Sequence, residues 1–225
     1  AQLPGVVEVA AGVDHQEALP AIDRPDVLAQ RVVVLDVVVP WEELRRGVVT
    51  PILTPFNDDL SIADDLYVEQ AKWLLAQGCA GIAPFGTTGE ALSVGINERI
   101  AAIRALVDGG VDPACLLPGT GLSNVADTAR LSRACLDMGC AAVMTLPPFY
   151  YKGVSDGGLM RYFRHVVDDA VPPDGRFLLY HIPRVSGVPV PHDVVAALHD
   201  RYPRRLAGIK DSSVDLDHTR ALCAA

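Results

Sequence analysis

The chain has 225 residues, half of them hydrophobic, with a net charge of −9 and a sequence pI near 5.0. That length admits one large domain or two small ones with a sizeable core. The acidic balance excludes a surface for binding phosphate backbones, which needs clustered Lys and Arg. No apolar run approaches the roughly 20 residues that cross a bilayer. The first residues lack a basic stretch followed by an apolar one, so no signal peptide is expected. Five cysteines (Cys79, Cys115, Cys135, Cys140 and Cys223) show no C-x-x-C spacing. They read as reduced thiols of a cytoplasmic protein rather than a disulfide framework or zinc site. The six histidines are scattered without an H-E-x-x-H pair, so no metal is expected.

In chain order, residues 1–46 form a segment of unknown role. Its Arg31 to Val39 run, rich in valine, would suit a strand. From residue 47 onward, short apolar runs alternate with amphipathic stretches. Gly47 to Leu53 reads as a first strand, and Asp64 to Gln77 as a helix stopped by Gly78. Gly81 to Phe85 is the second strand, followed by Gly86-Thr87-Thr88-Gly89-Glu90 and a helix through Leu106. Cys115 to Pro118 reads as a third strand and Val125 to Met138 as a helix. Ala141 to Leu146, Phe177 to Ile182 and Leu206 to Lys210 are the fourth to sixth strands. Strands alternating with helices imply parallel βαβ units, and nearly all-apolar strands are buried on both faces. Polar and glycine-rich clusters recur at the strand C-terminal ends, where a barrel or a doubly wound sheet carries its active site. The pattern alone does not separate those two architectures.

Only three lysines occur, Lys72, Lys152 and Lys210. Lys210 ends the sixth strand and precedes Asp211-Ser212-Ser213. It reads either as a solvated lysine at a strand end or as an amine desolvated in a barrel mouth, where the neutral form attacks a carbonyl. Tyr180 ends the fifth strand. It is a core tyrosine or, facing Lys210 from the neighbouring strand, a phenol that passes protons during imine and enamine formation. Residues Gly86 to Glu90 offer two glycines for a tight turn and two hydroxyls beside an expected helix N-terminus, a combination suited to a carboxylate. The same residues also fit a plain βα turn with a threonine cap. Pro147-Pro148-Phe149-Tyr150-Tyr151 follows the fourth strand, and its aromatics fit either a subunit contact or the site.

Gly86-Thr87-Thr88-Gly89-Glu90, Pro148-Phe149-Tyr150-Tyr151, Tyr180-His181-Ile182-Pro183 and Gly208-Ile209-Lys210-Asp211 stand in the order and spacing of one family. From about residue 47 to the C-terminus, the chain resembles the dihydrodipicolinate synthase / N-acetylneuraminate lyase family. The resemblance implies a TIM (β/α)8 barrel, class I aldolase chemistry on pyruvate or a related 2-keto acid plus an aldehyde, no metal or organic cofactor, and a homodimer or homotetramer. It implies Lys210 as the Schiff-base lysine, Tyr180 as the proton-transferring tyrosine and Thr87 as a relay between tyrosines. Thr88, within the Gly86 to Gly89 turn, would bind the keto-acid carboxylate. Tyr151 would be the tyrosine lent across a dimer contact, with Tyr150 as the alternative register. Arg184 and Ser186, on the loop after Tyr180, complete the expected substrate-binding set.

Two departures bear on function. Synthases of the family carry an arginine five residues after the tyrosine, where it holds an aldehyde carboxylate. Here that residue is Val185, with Arg184 one position earlier. This favours a lyase or aldolase acting on another substrate over 4-hydroxy-tetrahydrodipicolinate synthase proper. The family barrel has eight strands and the pattern here supplies about six, so an incomplete barrel lacking strands seven and eight is expected. A barrel that binds a keto acid without catalysis is the alternative from a different class.

Overall fold

The computed structural model describes residues 47–224. The segment 1–46, including the valine-rich run expected as a strand, lies outside the described residues. Strand β1 (Val49–Pro51) leads to helix α1 (Asp64–Ala76), and β2 (Gly81–Ala83) to α2 (Ile96–Asp108). Helix α3 (Val125–Asp137), strand β3 (Val143–Thr145) and helix α4 (Asp156–Ala170) follow. Strand β4 (Phe177–His181) runs through the short α5 (Pro183–Ser186) into α6 (His192–Arg201), and β5 (Leu206–Asp211) into α7 (Leu216–Ala224).

All strand pairs are parallel, and β1-β2 and β3-β4-β5 are ordered as in the sequence. The two sheets are joined by residues 116–120, where a regular third strand was expected. Leu117 N–H donates to Ile82 C=O (2.9 Å) and Gly119 N–H to Pro84 C=O (2.8 Å) on one side. On the other side, Met144 N–H donates to Pro118 C=O and Thr120 N–H to Met144 C=O, both at 2.8 Å. Pro118 has no N–H to offer β3, and Cys115 belongs to a 3₁₀ turn, so the ladder is reduced to isolated parallel bridges at Leu116 and Gly119. Glycine is required here by close approach. A Cβ at Gly119 would lie 2.2 Å from Phe85 C=O, and one at Gly121 would lie 2.1 Å from Leu146 N. The result is six successive parallel segments with helices outside them, the (β/α) arrangement of a TIM barrel.

Alternate strand residues face two different cores, as strand geometry dictates. Ile82, Leu116, Val143, Phe177, Leu179 and Ile209 pack outward against the helices in the main cluster. Ala83, Leu117, Ala142, Met144, Leu178 and Ala207 form a smaller inner cluster, the floor of the barrel. Helix starts are fixed locally: the Asn124 carboxamide accepts from Ala126 N–H, and the Ser155 hydroxyl accepts from Gly158 N–H. Among the described residues, no helix is long and apolar enough to cross a membrane.

The second helix departs from expectation. It begins at Ile96, not directly after Glu90, because a 3₁₀ turn over Ala91–Ser93 intervenes and Glu90 adopts a left-handed conformation with φ 50°. Buried Arg99 holds this detour in place. Its guanidinium donates to Val94 C=O (3.1 Å) and to Ala91 C=O, and it lies 6.0 Å from the Phe85 ring.

Candidate active site

Tyr180 and Lys210 are paired residues of β4 and β5, so their side chains leave the sheet on the same face. Tyr180 lies two residues after Leu178 of the barrel floor and therefore points into the barrel mouth. Both side chains are 4% exposed, and Lys210 Nζ stands 4.3 Å from the centroid of the Tyr180 ring. The Tyr180 hydroxyl shares a hydrogen bond of 3.3 Å with Thr87 Oγ1, although the two residues are 93 positions apart in the chain. The strand-end reading thus brings Lys210, Tyr180 and Thr87 to one point.

Two cavities meet at this point. One, of about 410 Å³, is lined by Lys210, Tyr180, Thr87, Thr88, Pro51 and Asp211 among others. The second, of about 200 Å³, lies on the other side of Tyr180 and Thr87. Its walls are largely apolar, with Phe85, Leu92, Met144, Leu146, Phe149 and Val185. Tyr180, Thr87 and Ile182 line both cavities.

The remaining expected residues are distributed differently. Gly86 lines the smaller cavity. Gly89 is buried and serves packing: a Cβ there would lie 2.8 Å from Ile52 C=O, and its own carbonyl accepts from Thr54 Oγ1 at 2.7 Å. Since α2 starts at Ile96, the expected helix N-terminus does not lie at the Gly86 to Glu90 turn, where Thr87, Thr88 and Glu90 supply the polar side chains that line the cavities. Ser186 lines the smaller cavity, but its hydroxyl is committed to Val188, donating to C=O at 2.9 Å and accepting from N–H at 3.2 Å. Arg184 lines neither of these two cavities. It is exposed and lines a cleft with His181, His192 and His218 that shares Val214, Asp215 and Leu216 with the Lys210 cavity, whereas Val185 lines the apolar cavity. Successive residues of a helical turn point about 100° apart, so 184 and 185 serve different sides. Tyr150 and Tyr151 are 76% and 59% exposed, pack edge to face at 5.6 Å, and line neither cavity.

One grouping has no counterpart in the sequence reading. His218 stacks on His181 at 4.4 Å and lies tilted against His192 at 4.4 Å. Ligand-type atoms of His181, Asp211 and His218 lie within 4.8 Å of one another. Their hydrogen bonds oppose metal binding. Val190 N–H donates to His181 Nδ1 at 3.0 Å, which puts the proton of the neutral ring on Nε2, the atom a metal would need. The Asp211 carboxylate already accepts from Ser213 N–H (2.9 Å) and Thr219 Oγ1 (2.7 Å). Burial, then the neighbouring His218, push the His181 imidazole below its usual range, while Asp211 opposes them. Burial alone would raise the Asp211 carboxyl, but the bonds from Thr219 and Ser213 hold it below the ordinary value. Spacing gave no signal of this cluster, because only folding brings α6 and α7 together.

A parallel (β/α) barrel whose polar groups gather at the C-terminal strand ends, around a buried lysine and tyrosine, belongs to the TIM-barrel class that builds its sites from βα loops. The chain is a member of the dihydrodipicolinate synthetase family, whose model matches residues 44–225. It is 36% identical over 178 residues to an uncharacterized DapA-like lyase of Chloroflexus aurantiacus, covering 79% of this chain and 59% of that protein. The crystal structure of dihydrodipicolinate synthase from Agrobacterium tumefaciens superposes with a TM-score of 0.73 at 34% identity, over 76% of this chain and 60% of that one. YagE of Escherichia coli K12, a member of the same family crystallised with pyruvate, gives a TM-score of 0.72 at 28% identity over 78% and 57%. The chain therefore spans about three fifths of the length of these relatives.

Proposed function

We propose that this chain carries the Schiff-base half of a class I aldolase: Lys210 condenses with the carbonyl of pyruvate or a related 2-keto acid, and the resulting enamine is joined to, or released from, an aldehyde. The observation that carries this reading is the buried Lys210 amine against the Tyr180 ring, with the Tyr180 hydroxyl bonded to Thr87. Burial keeps bulk water from the amine and from the imine it would form. In the forward direction the amine attacks the keto carbon, and the carbinolamine hydroxyl leaves as water with the phenolic proton of Tyr180. The resulting phenolate then removes a proton from C3, giving the enamine. Thr87 steadies the phenol, and the Thr88 hydroxyl, which lines the same cavity as Lys210, suits the keto-acid carboxylate. The exposed Tyr150 and Tyr151 fit a homo-oligomer in which Tyr151 is lent to a neighbouring site, as the family resemblance implies.

Exchange of the pyruvate methyl protons in D₂O, followed by proton NMR, tests this without any aldehyde. The wild-type chain is expected to exchange them and Lys210→Ala to lose the exchange. Exchange that persists in Lys210→Ala overturns the assignment. Because Arg184 lines the adjoining histidine cleft and neither cavity at Tyr180, the aldol reading is favoured over 4-hydroxy-tetrahydrodipicolinate synthase proper, which needs a clamp for a second carboxylate. A barrel that binds a keto acid without catalysis differs in one measurable respect, since its binding survives Lys210→Ala undiminished.

A further inference from the structure

The cavity on the far side of Tyr180 from Lys210 carries information about the second substrate. Phe85, Leu92, Met144, Leu146, Phe149 and Val185 give it apolar walls. Leu92 and Val185 are large hydrophobics left 69% and 62% exposed. Glu90 is the one charged side chain among its described lining residues, and its charge repels a carboxylate.

Of the nearby cations, Lys152 and Arg99 are engaged elsewhere, and exposed Arg184 does not line this cavity. Arg184 lines the histidine cleft beyond α5. Lys152 Nζ donates to Ser186 C=O at 2.6 Å and to Phe149 C=O, behind the two loops that form the cavity wall. Arg99 is buried under the 91–94 loop, donating to Ala91 and Val94 carbonyls. A carboxylate or phosphate placed here would lose water without gaining a cation, an expensive exchange. An apolar chain or ring instead covers surface that is otherwise wet.

We infer that the aldehyde partner is uncharged and apolar, an aliphatic or aromatic aldehyde seated in this cavity with its carbonyl at the Tyr180 hydroxyl. The inference rests on the Lys210 imine of the proposed function. C3 of the enamine attacks the aldehyde carbon, the C=O π pair moves to oxygen, and that oxygen takes the proton Tyr180 had removed from C3. The iminium is thereby regenerated, and one water releases the 4-hydroxy-2-keto acid and the free amine. Tyr180, common to both cavities, is positioned to return that proton.

The test measures condensation of pyruvate with 3-methylbutanal and with benzaldehyde against succinic semialdehyde, which carries a carboxylate. Borohydride trapping of pyruvate on Lys210 is run in parallel. We expect kcat/KM for an apolar aldehyde to exceed that for succinic semialdehyde by about tenfold or more, a margin in the range one pocket can set. Val185→Arg should move the ratio towards succinic semialdehyde by a similar factor, and Leu92→Asp should depress turnover of the apolar aldehydes. Trapping without turnover of any apolar aldehyde, or with preference for the carboxylated one, overturns this inference and leaves the imine assignment standing. Loss of trapping removes both.

Discussion

At the scale of single residues, the proposed reaction is divided between an amine and a phenol, and the two roles separate experimentally. Tyr180→Phe keeps the ring that covers Lys210 Nζ and removes only the hydroxyl. Borohydride should still trap pyruvate on Lys210, while C3 proton exchange falls by roughly 10²–10⁴-fold, the usual contribution of a positioned acid-base group. Equal loss of both signals would assign Tyr180 a packing role instead. Thr87→Val removes one neutral hydrogen bond to that hydroxyl. Its exchange rate should fall only about fivefold, as expected for roughly 1 kcal/mol. The meeting of Lys210, Tyr180 and Thr87 was legible in the sequence because each sits next to a recognisable strand end, and strand ends share one rim. Arg184 was not. Whether residue 184 or 185 faces the cavity is decided by the turn of α5, and a one-residue offset in a loop leaves no trace in apolar periodicity.

At the scale of elements, six strand positions were readable from apolar runs bounded by glycine and proline, and the first three helices from their spacing. The third strand was over-read, because Pro118 interrupts the pairing that its apolar neighbours suggest. Its glycines take up the close approach to both neighbours. Gly121→Ala forces a methyl onto Leu146 N and should destabilise the fold by about 1–3 kcal/mol, read as a lowered denaturation midpoint with an unchanged slope. The histidine cluster was unreadable for the opposite reason: its members come from β4, α6 and α7, and only packing unites them.

That cluster makes stability depend on pH. The folded His181 has a pKa below its unfolded value of 6.5, so the unfolded chain takes up its proton first. The contribution is fully present above about pH 6.5 and is lost as pH falls through the depressed folded value. His218, His192, Asp211 and Asp215 face the ring. Asp211, whose folded pKa is lowered below 3.8, adds a loss only at pH below that. A shallower fall in melting temperature between pH 7 and 5 is expected for His181→Asn, whose carboxamide oxygen can still accept from Val190 N–H. An unchanged profile would locate the titration elsewhere.

At the scale of the whole molecule, an inner floor of small and medium apolar side chains supports a polar rim, with the helix layer packed outside. In the proposed reaction the two cavities on that rim divide the work: one would hold the keto acid at the Lys210 amine, the other would offer an apolar wall to its partner. Both depend on the amine at the end of β5 being a nucleophile rather than a buried counter-charge. The most direct measurement is peptide mass mapping after incubation with pyruvate and borohydride. A reduced pyruvyl adduct should appear on the peptide containing Lys210 and on neither the Lys72 nor the Lys152 peptide. An unmodified Lys210, in protein shown by its circular dichroism to be folded, would contradict the account.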